Sequence, residues 1–184
     1  MRRLRATPDG LDLGPLQPCL PERLQTKDKR VALAPAPVLE AVGRLDEDAP
    51  PTVHDGELLL IGRRHQRDCN SWLHNTERLT KGRPRHQLLM HPDDLGTRGI
   101  ADGSVVEVTS RVGKVEVEVA ATDAMMPGVV SLPHGYGRRR EGVRLDNATG
   151  LPGVSINDLT DPERLDATGN AVLNGVPVTV TPSR

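Results

Sequence analysis

The sequence predicts a mainly β protein built as a compact barrel of short strands, with one or two short helices. The 18 glycines and 16 prolines among 184 residues exceed average usage and favour frequent turns. From residue 57 onward, short apolar runs alternate with turn sequences, as expected for an all-β domain. The chain has no Phe, one Trp and one Tyr, so aliphatic side chains must fill the core, which suits the small interior of a barrel.

Two regions are expected: a linker-like, poorly ordered extension over residues 1–54 and the barrel domain over residues 55–184. Prolines interrupt the first region repeatedly, and only residues 38–45 have the amphipathic pattern of a short helix. The alternative for this region is an ordinary, ordered N-terminal segment.

The clearest strands of the barrel domain are 104–109 and 114–119, which flank a glycine-containing turn and predict a hairpin. A short helix is expected from Pro92 to Gly99, because Pro suits the first helical position and Gly the left-handed C-terminal cap. Pro177 places the last strand at an edge or a bulge. The other predicted strands are 58–61, 86–90, 129–132, 154–157, 171–173 and 176–180, and residues 138–153 are expected to form a polar, mobile loop.

Positive charge is concentrated after the first strand, which is expected to end at Gly62. Residues 63–85 contain seven basic and two acidic residues, a local charge of +5 in a chain of net charge −1. The planar guanidinium of arginine matches phosphate oxygens in two-point contacts, and Trp72 could stack on a flat ring. This pattern indicates a phosphate or nucleotide site, and a solvated basic face is the alternative.

A second polar loop, Pro133-His-Gly-Tyr-Gly137, follows another predicted strand. Its glycines allow the backbone to approach a ligand closely. A lone histidine such as His134 is more often a hydrogen-bonded structural residue than a catalytic one, and no nucleophile motif accompanies it.

Composition argues against several functional classes. The net charge of −1 does not favour a general nucleic-acid binder. Cys19 and Cys69 form no C-x-x-C pair, so no iron–sulfur or structural zinc ligand set is evident, and His65, Cys69 and His74 lack metal-site spacing. No export signal or membrane-spanning segment is recognisable, and we expect a soluble, cytoplasmic protein.

The order of the short motifs resembles one known family. The motifs are Leu59-Leu-Ile-Gly-Arg-Arg-His65, Asn70-Ser-Trp-Leu-His-Asn75, Leu89-Met-His-Pro-Asp-Asp94, Gly99-Ile-Ala-Asp-Gly103, Ser110-Arg-Val-Gly113, Met126-Pro-Gly128, Leu132-Pro-His-Gly-Tyr-Gly137, Asn157-Asp-Leu159 and Gly169-Asn-Ala-Val172. Over residues 55–182 they resemble the C-terminal dinucleotide-binding domain of the molybdopterin oxidoreductases, the formate dehydrogenase and nitrate reductase superfamily. The resemblance implies a six-stranded double-psi β-barrel. It also implies the molybdopterin guanine dinucleotide cofactor, two copies of which usually hold one Mo or W atom.

By position, the resemblance implies three loops that face the cofactor. Two residues depart from the family pattern: Tyr136 stands where Trp is expected, and Cys69 where Ser or Asn is expected. The implied cofactor-binding residues are Gly62, Arg63, Arg64, His65, Asn70, Ser71, Trp72, His134, Gly135, Tyr136, Asn157 and Asn170, with Arg63 and Arg64 near phosphates.

The resemblance therefore implies a domain that covers the cofactor of a molybdenum or tungsten oxidoreductase of formate dehydrogenase type. Its partners would be the remaining domains or subunits, which supply the metal ligand and the substrate site, so no catalytic residue and no metal ligand is expected in this chain. Nucleic acid and membrane are not expected partners. The alternative is a free-standing double-psi barrel that acts as a protein-interaction adaptor, because one fold hosts many functions. Nucleic-acid binding through the basic loop is the least favoured hypothesis.

Overall fold

The computed structural model describes residues 2–7, 9–44, 54, 56–166 and 169–183. The helices are α1 (Arg2–Arg5), α2 (Ala36–Gly43), α3 (Glu77–Thr80), α4 (Pro92–Arg98) and α5 (Asp146–Gly150). The strands are β1 (Leu58–Arg63), β2 (Leu88–Met90), β3 (Val105–Thr109), β4 (Lys114–Ala121), β5 (Val129–Pro133) and β6 (Val176–Pro182). None of these helices is long and apolar enough to span a membrane.

The chain divides into two compact units, residues 1–39 and residues 40–184. In the described part of the first unit, large apolar side chains such as Leu13, Leu16 and Leu33 are mostly exposed, Leu16 fully so. The helix predicted at 38–45 is present as α2, about two residues earlier. A domain boundary at residue 55 stays a prediction, because residues 45–53 and 55 lie outside the described part of the chain.

The second unit is a closed barrel with the strand order β1-β5-β2-β4-β3-β6. Strand β1 pairs parallel to β5 and β2 pairs parallel to β4, and the other four pairings are antiparallel. If β1 is exchanged with β4, β2 with β5 and β3 with β6, the same six pairings result. Around the ring, strands from the two halves therefore alternate, and the predicted double-psi β-barrel is confirmed.

Aliphatic side chains fill the interior of the barrel, as the composition predicted. The residues at 0–1% exposure in this core are Leu58, Leu60, Leu88, Met90, Val106, Val108, Val119, Val130, Leu132, Ile156, Leu159 and Val178. In β4 the side chains of Val117 and Val119 face inward, and Lys114 and Glu116 face solvent. The alternation identified in the sequence therefore corresponds to the two faces of the wall.

The predicted hairpin and helix are confirmed. Strands β3 and β4 pair antiparallel with Val106 opposite Val117. In α4, Nδ1 of His91 accepts a hydrogen bond from the Asp93 N–H at 3.1 Å, and Gly99 forms the left-handed cap with φ 64°. Strand β2 runs antiparallel to β5, so α4 lies at the rim opposite the end of β5.

Four sequence predictions need correction. Strand β1 continues through Gly62, because its pairing with β5 extends to Arg63 opposite Pro133. The strand predicted at 154–157 is wrong: one turn of 3-10 helix, Ile156–Asp158, buries the Ile156 side chain. At 171–173 there is only a single bridge, between Leu165 and Ala171.

The fourth correction concerns residues 138–153, which contain α5. The side-chain oxygen of Asn75 accepts hydrogen bonds from the backbone N–H groups of Asn147 and Ala148, at 3.0 and 3.2 Å. A residue more than 70 positions away thus stabilises the first turn of this helix.

Replacing Leu60 by alanine should lower the free energy of unfolding by about 2–5 kcal/mol, because the side chain is fully buried among other aliphatic groups. Val105→Ala is the control, since Val105 is 50% exposed on the outer face, and it should cost less than about 1 kcal/mol. Urea unfolding of both variants measures the difference. Equal losses would show that the barrel interior does not dominate stability.

Candidate functional site

The loops after β1 and β5 leave the barrel at the same rim, which we call the site rim. The two strands are parallel and in register, with Gly62 opposite Leu132 and Arg63 opposite Pro133. The backbone N–H of His134 donates to the carbonyl of Arg63 at 3.0 Å. The two polar loops singled out in the sequence therefore begin side by side.

At the start of the site rim, His134 packs directly over Gly62. A Cβ atom at position 62 would overlap Nε2 of the imidazole, so only glycine leaves room for this ring. His134 is 7% exposed, and burial, with the charge of Arg64, lowers its pKa. The shift favours the neutral form of the ring at pH 7. The Asn174 side-chain oxygen accepts the Gly62 N–H at 2.8 Å, which fixes the backbone from the other side.

A second close approach joins the two loops farther out. Gly135 has φ +91°, and a Cβ atom there would overlap the backbone carbonyl of Asn70 and crowd the side chain of Ser71. Glycine is required at this position both by the dihedral angle and by the contact. The loop after β5 therefore lies flat against the turn that carries Asn70 and Ser71.

The Arg63 guanidinium is a structural group in this arrangement. Its Nη1 donates to the Ser131 carbonyl at 2.5 Å, and its Nη2 donates to the carbonyls of Arg85 and Gln87 at 3.0 and 2.5 Å. Burial lowers its pKa to about 10, still far above neutral pH. Because both terminal nitrogens bind the barrel backbone, these contacts favour a structural role for Arg63 over the expected phosphate contact.

A buried polar cluster fixes the turn after β1, and sequence reasoning missed its role. Asp68 is 2% exposed and accepts from Arg85 through Nε and Nη2, at 3.2 and 2.8 Å. The Tyr136 hydroxyl lies 3.4 Å from the other oxygen of Asp68, and the rings of Tyr136 and His74 pack with centroids 4.5 Å apart. The cluster thus joins three segments of the site rim. The available signal was Asp68 itself, one of two acids in a strongly basic stretch.

The two loops and the 3-10 turn form the walls of an open cleft with a volume of about 220 Å³, which we call the rim cleft. It carries two arginines: Arg138 donates to Oγ of Ser71 at 2.6 Å, and Arg140 pairs with Asp158. The rim cleft is lined by Asn70, His134, Gly135, Tyr136, Gly137, Arg138, Arg140, Val143, Ser155, Ile156 and Asn157. Cationic, amide and hydroxyl donors thus converge on one concave surface.

The 3-10 turn that carries Asn157 is held by the β3–β4 hairpin. A Cβ atom at Gly113 would overlap the Asp158 carbonyl, so the two backbones touch. Arg111 binds Asp161 in a two-point contact, at 2.7 Å for each bond. Hydrogen bonding from Arg111 lowers the pKa of Asp161 to about 2, so this carboxylate is charged throughout the neutral range.

Beside the rim cleft, Trp72 is 84% exposed. It borders a shallow, mostly apolar surface with Arg64, His65, Gln66, Cys69 and Asn70. The exposed indole offers a flat face for stacking.

Comparison with known proteins identifies the family. A family model described as "Molydopterin dinucleotide binding domain" matches residues 58–177, well over half of the chain. The chain belongs to the molybdopterin dinucleotide-binding domain family. Among similar proteins, a tetrathionate reductase subunit from Salmonella typhimurium is 30% identical over 121 residues. The dimethyl sulfoxide/trimethylamine N-oxide reductase of Rhodobacter capsulatus is 51% identical over 47 residues.

These relatives are much longer than this molybdopterin dinucleotide-binding domain. The matches cover 56% and 26% of this chain but only 12% and 6% of the two reductases. Among solved structures, acetylene hydratase from Pelobacter acetylenicus matches with a TM-score of 0.58 and 20% identity, over 77% of this chain and 19% of that protein. This likeness concerns the fold alone.

The domain's rim brings most of the expected cofactor-binding residues together. Asn70, His134, Gly135, Tyr136 and Asn157 line the rim cleft, and Arg64, His65 and Trp72 border the adjoining surface. Four expected residues remain: Gly62, Arg63, Ser71 and Asn170. Gly62 contacts the lining residue His134, and Ser71 contacts the lining residues Gly135 and Arg138.

Asn170 is not among the described residues that line the rim cleft. Its backbone N–H donates to the Asp166 side chain at 2.9 Å. The polar lining residues that sequence reasoning missed are Arg138, Arg140 and Ser155. The first two stand in a run of three arginines that was interpreted only as part of a polar loop.

Gly135→Ala should destabilise the site rim more than Gly128→Ala. Both glycines have positive φ, and an alanine at either costs about 1–2 kcal/mol for that reason. At Gly128 nothing lies within 4 Å of the added methyl group, whereas at Gly135 it meets the Asn70 carbonyl, which should add at least about 1 kcal/mol. Urea unfolding compares the two variants. Equal losses of unfolding free energy would contradict the close approach of Gly135 to Asn70.

The free energy of unfolding should fall as the pH drops below about 6.5. Burial lowers the pKa of His74, His86 and His134 from an ordinary value of 6.5, so the unfolded chain binds more protons in this range. Each histidine contributes at most about 1.4 kcal/mol per pH unit. Urea unfolding between pH 7 and about pH 5 measures the slope, which His74→Gln should reduce. A slope unchanged in His74→Gln would show that this ring titrates normally.

Proposed function

We propose that the site rim covers a molybdopterin guanine dinucleotide in a molybdenum or tungsten oxidoreductase, whose remaining domains or subunits hold the metal centre. The observation that carries this proposal is the rim cleft, where three loops that are distant in sequence place two arginines and several neutral donors on one surface. Such clefts with few, convergent polar groups are typical of ligand sites.

The donor set fits the chemistry of a dinucleotide. The guanidinium groups of Arg138 and Arg140 suit phosphate oxygens, and Asn70, Ser155 and Asn157 suit the polar edges of a base or a pterin. The exposed indole of Trp72 suits a flat ring. When bound, the cofactor supplies metal-centred redox chemistry; the residues of this chain bind and orient its organic part.

The class of oxidoreductase is a further part of the proposal. The similar proteins named above are reductases of tetrathionate, dimethyl sulfoxide and trimethylamine N-oxide, and a biotin sulfoxide reductase of Cereibacter sphaeroides is 35% identical over 82 residues. These names favour a reductase of this kind over the formate dehydrogenase type expected from the sequence. The guanine form of the cofactor, the choice of Mo or W, and a cytoplasmic location stay predictions.

The proposal is tested with GDP, which carries the guanine and pyrophosphate of the cofactor. The chain has one tryptophan, so the emission of Trp72 reports on the site rim alone. We expect GDP to change this emission with weak, saturable affinity, because much of the binding site lies on other domains. Arg138→Ala should weaken binding about tenfold through the loss of a charge-assisted contact.

Arg98→Ala is the matched control, because it removes the same charge from α4 at the opposite rim. It should leave GDP affinity unchanged. Absence of any GDP-dependent signal in the wild-type chain, by fluorescence and by NMR shifts at residues 134–140, would contradict the proposed function. Equal losses in the two variants would contradict the assignment of Arg138 to the site.

A further inference from the structure

The two arginines of the rim cleft have different partners. Arg138 donates to the neutral hydroxyl of Ser71. Arg140 donates through Nη2 to both carboxylate oxygens of Asp158, at 2.6 and 2.5 Å. Asp158 directly follows Asn157, which lines the rim cleft as Arg140 does. One of the two cationic groups available to an anionic ligand is therefore already bound to an anion of the protein.

The backbone that carries Asp158 is fixed from two sides. Its carbonyl packs against Gly113, and the preceding Ile156 side chain is fully buried. The side chain of Arg140, by contrast, is 59% exposed and extends from the loop after β5. If the pair separates, the long side chain of the arginine can turn toward the cleft while the backbone of the acid stays in place.

We propose that Asp158 is an internal competitor for Arg140, and that a phosphate group of the ligand displaces the carboxylate and takes over this arginine. The inference rests on the proposed function and adds to it an ion pair that limits the affinity of the site for phosphate-bearing ligands. Carboxylate and phosphate oxygens both accept charge-assisted hydrogen bonds from a guanidinium, so a phosphate can take the place of the carboxylate.

Because the pair is exposed to solvent, breaking it for this exchange costs little free energy. An ion pair open to solvent contributes little to stability, because water screens the attraction and two side chains must be ordered to form it. A neutral ligand has no anionic group to bind the arginine once the pair is broken, whereas a diphosphate has one. Arg138, which has no charge to displace at Ser71, is available to either ligand. The pair therefore reduces affinity for phosphate-bearing ligands by a fixed factor and leaves affinity for neutral ones unchanged.

The test compares GDP with guanosine, which has the same base and no phosphate, on the full chain. Titrations by Trp72 emission and by NMR cover the wild type, Asp158→Asn, Arg140→Ala and the double variant. Glu141→Gln is the matched control, since it removes the same charge next to Arg140 from a residue outside the ion pair. A double-mutant cycle then isolates the contribution of the pair.

We expect Asp158→Asn to bind GDP about five-fold more tightly than the wild type and guanosine equally well. Arg140→Ala should bind GDP more weakly, and in that background Asp158→Asn should have no further effect. Glu141→Gln should change GDP affinity by less than about two-fold.

Three results would overturn the inference while leaving the proposed function intact. The first is GDP binding that Asp158→Asn does not change. The second is a gain as large in Glu141→Gln, which would indicate general electrostatics. The third is loss of guanosine binding in Asp158→Asn, which would make Asp158 a ligand of the base. If neither GDP nor guanosine binds to any form of the chain, the proposed function itself fails.

Discussion

The parallel pairing of β1 with β5 is the constraint on which the site depends. Its register places Arg63 opposite Pro133, so two loops separated by about 70 residues begin at neighbouring points of one rim. Gly62 and Gly135 then let these loops touch, first at the ring of His134 and then at the backbone of Asn70. These two contacts position His134, Asn70 and Ser71 at the site rim.

The charges of the site rim have two distinct uses. Arg63 and Arg85 are turned toward the protein, where they bind backbone carbonyls and the buried Asp68. Arg138 and Arg140 are on the cleft side, where their partners are a hydroxyl and a partly exposed carboxylate. The basic stretch after β1 thus builds the rim, and much of the charge directed at the cleft comes from the loop after β5. Local net charge alone does not distinguish these uses.

Local sequence signals were sufficient for much of the fold. The β3–β4 hairpin and α4 were predicted correctly because alternation, a turn glycine and helix caps act over a few residues. Long-range contacts explain the failures. Helix α5 depends on the side chain of Asn75, and the 3-10 turn at Ile156 depends on burial in the barrel and on Gly113. No pattern within either segment reveals those partners.

The same distinction applies to the site. The expected residues that lie in the two loops meet at the rim, since they follow directly from β1 and β5. The inward direction of Arg63, the cluster around Asp68 and the arginines after Gly137 were missed, because each depends on which neighbour the fold brings within bonding distance. Asn170 was expected from the family resemblance, and it is not among the described residues that line the cleft.

The alternation of the two halves around the barrel has a consequence for assembly. Every strand of β1–β3 has both of its neighbours in β4–β6, so neither half can form even one pair of strands by itself. The ring closes only when β6 joins β3 to β1, the last strand of the barrel meeting the first. The β1–β5 pairing that brings the two rim loops together therefore joins strands from opposite halves of the domain. We expect the ligand surface to form together with contacts between the two halves.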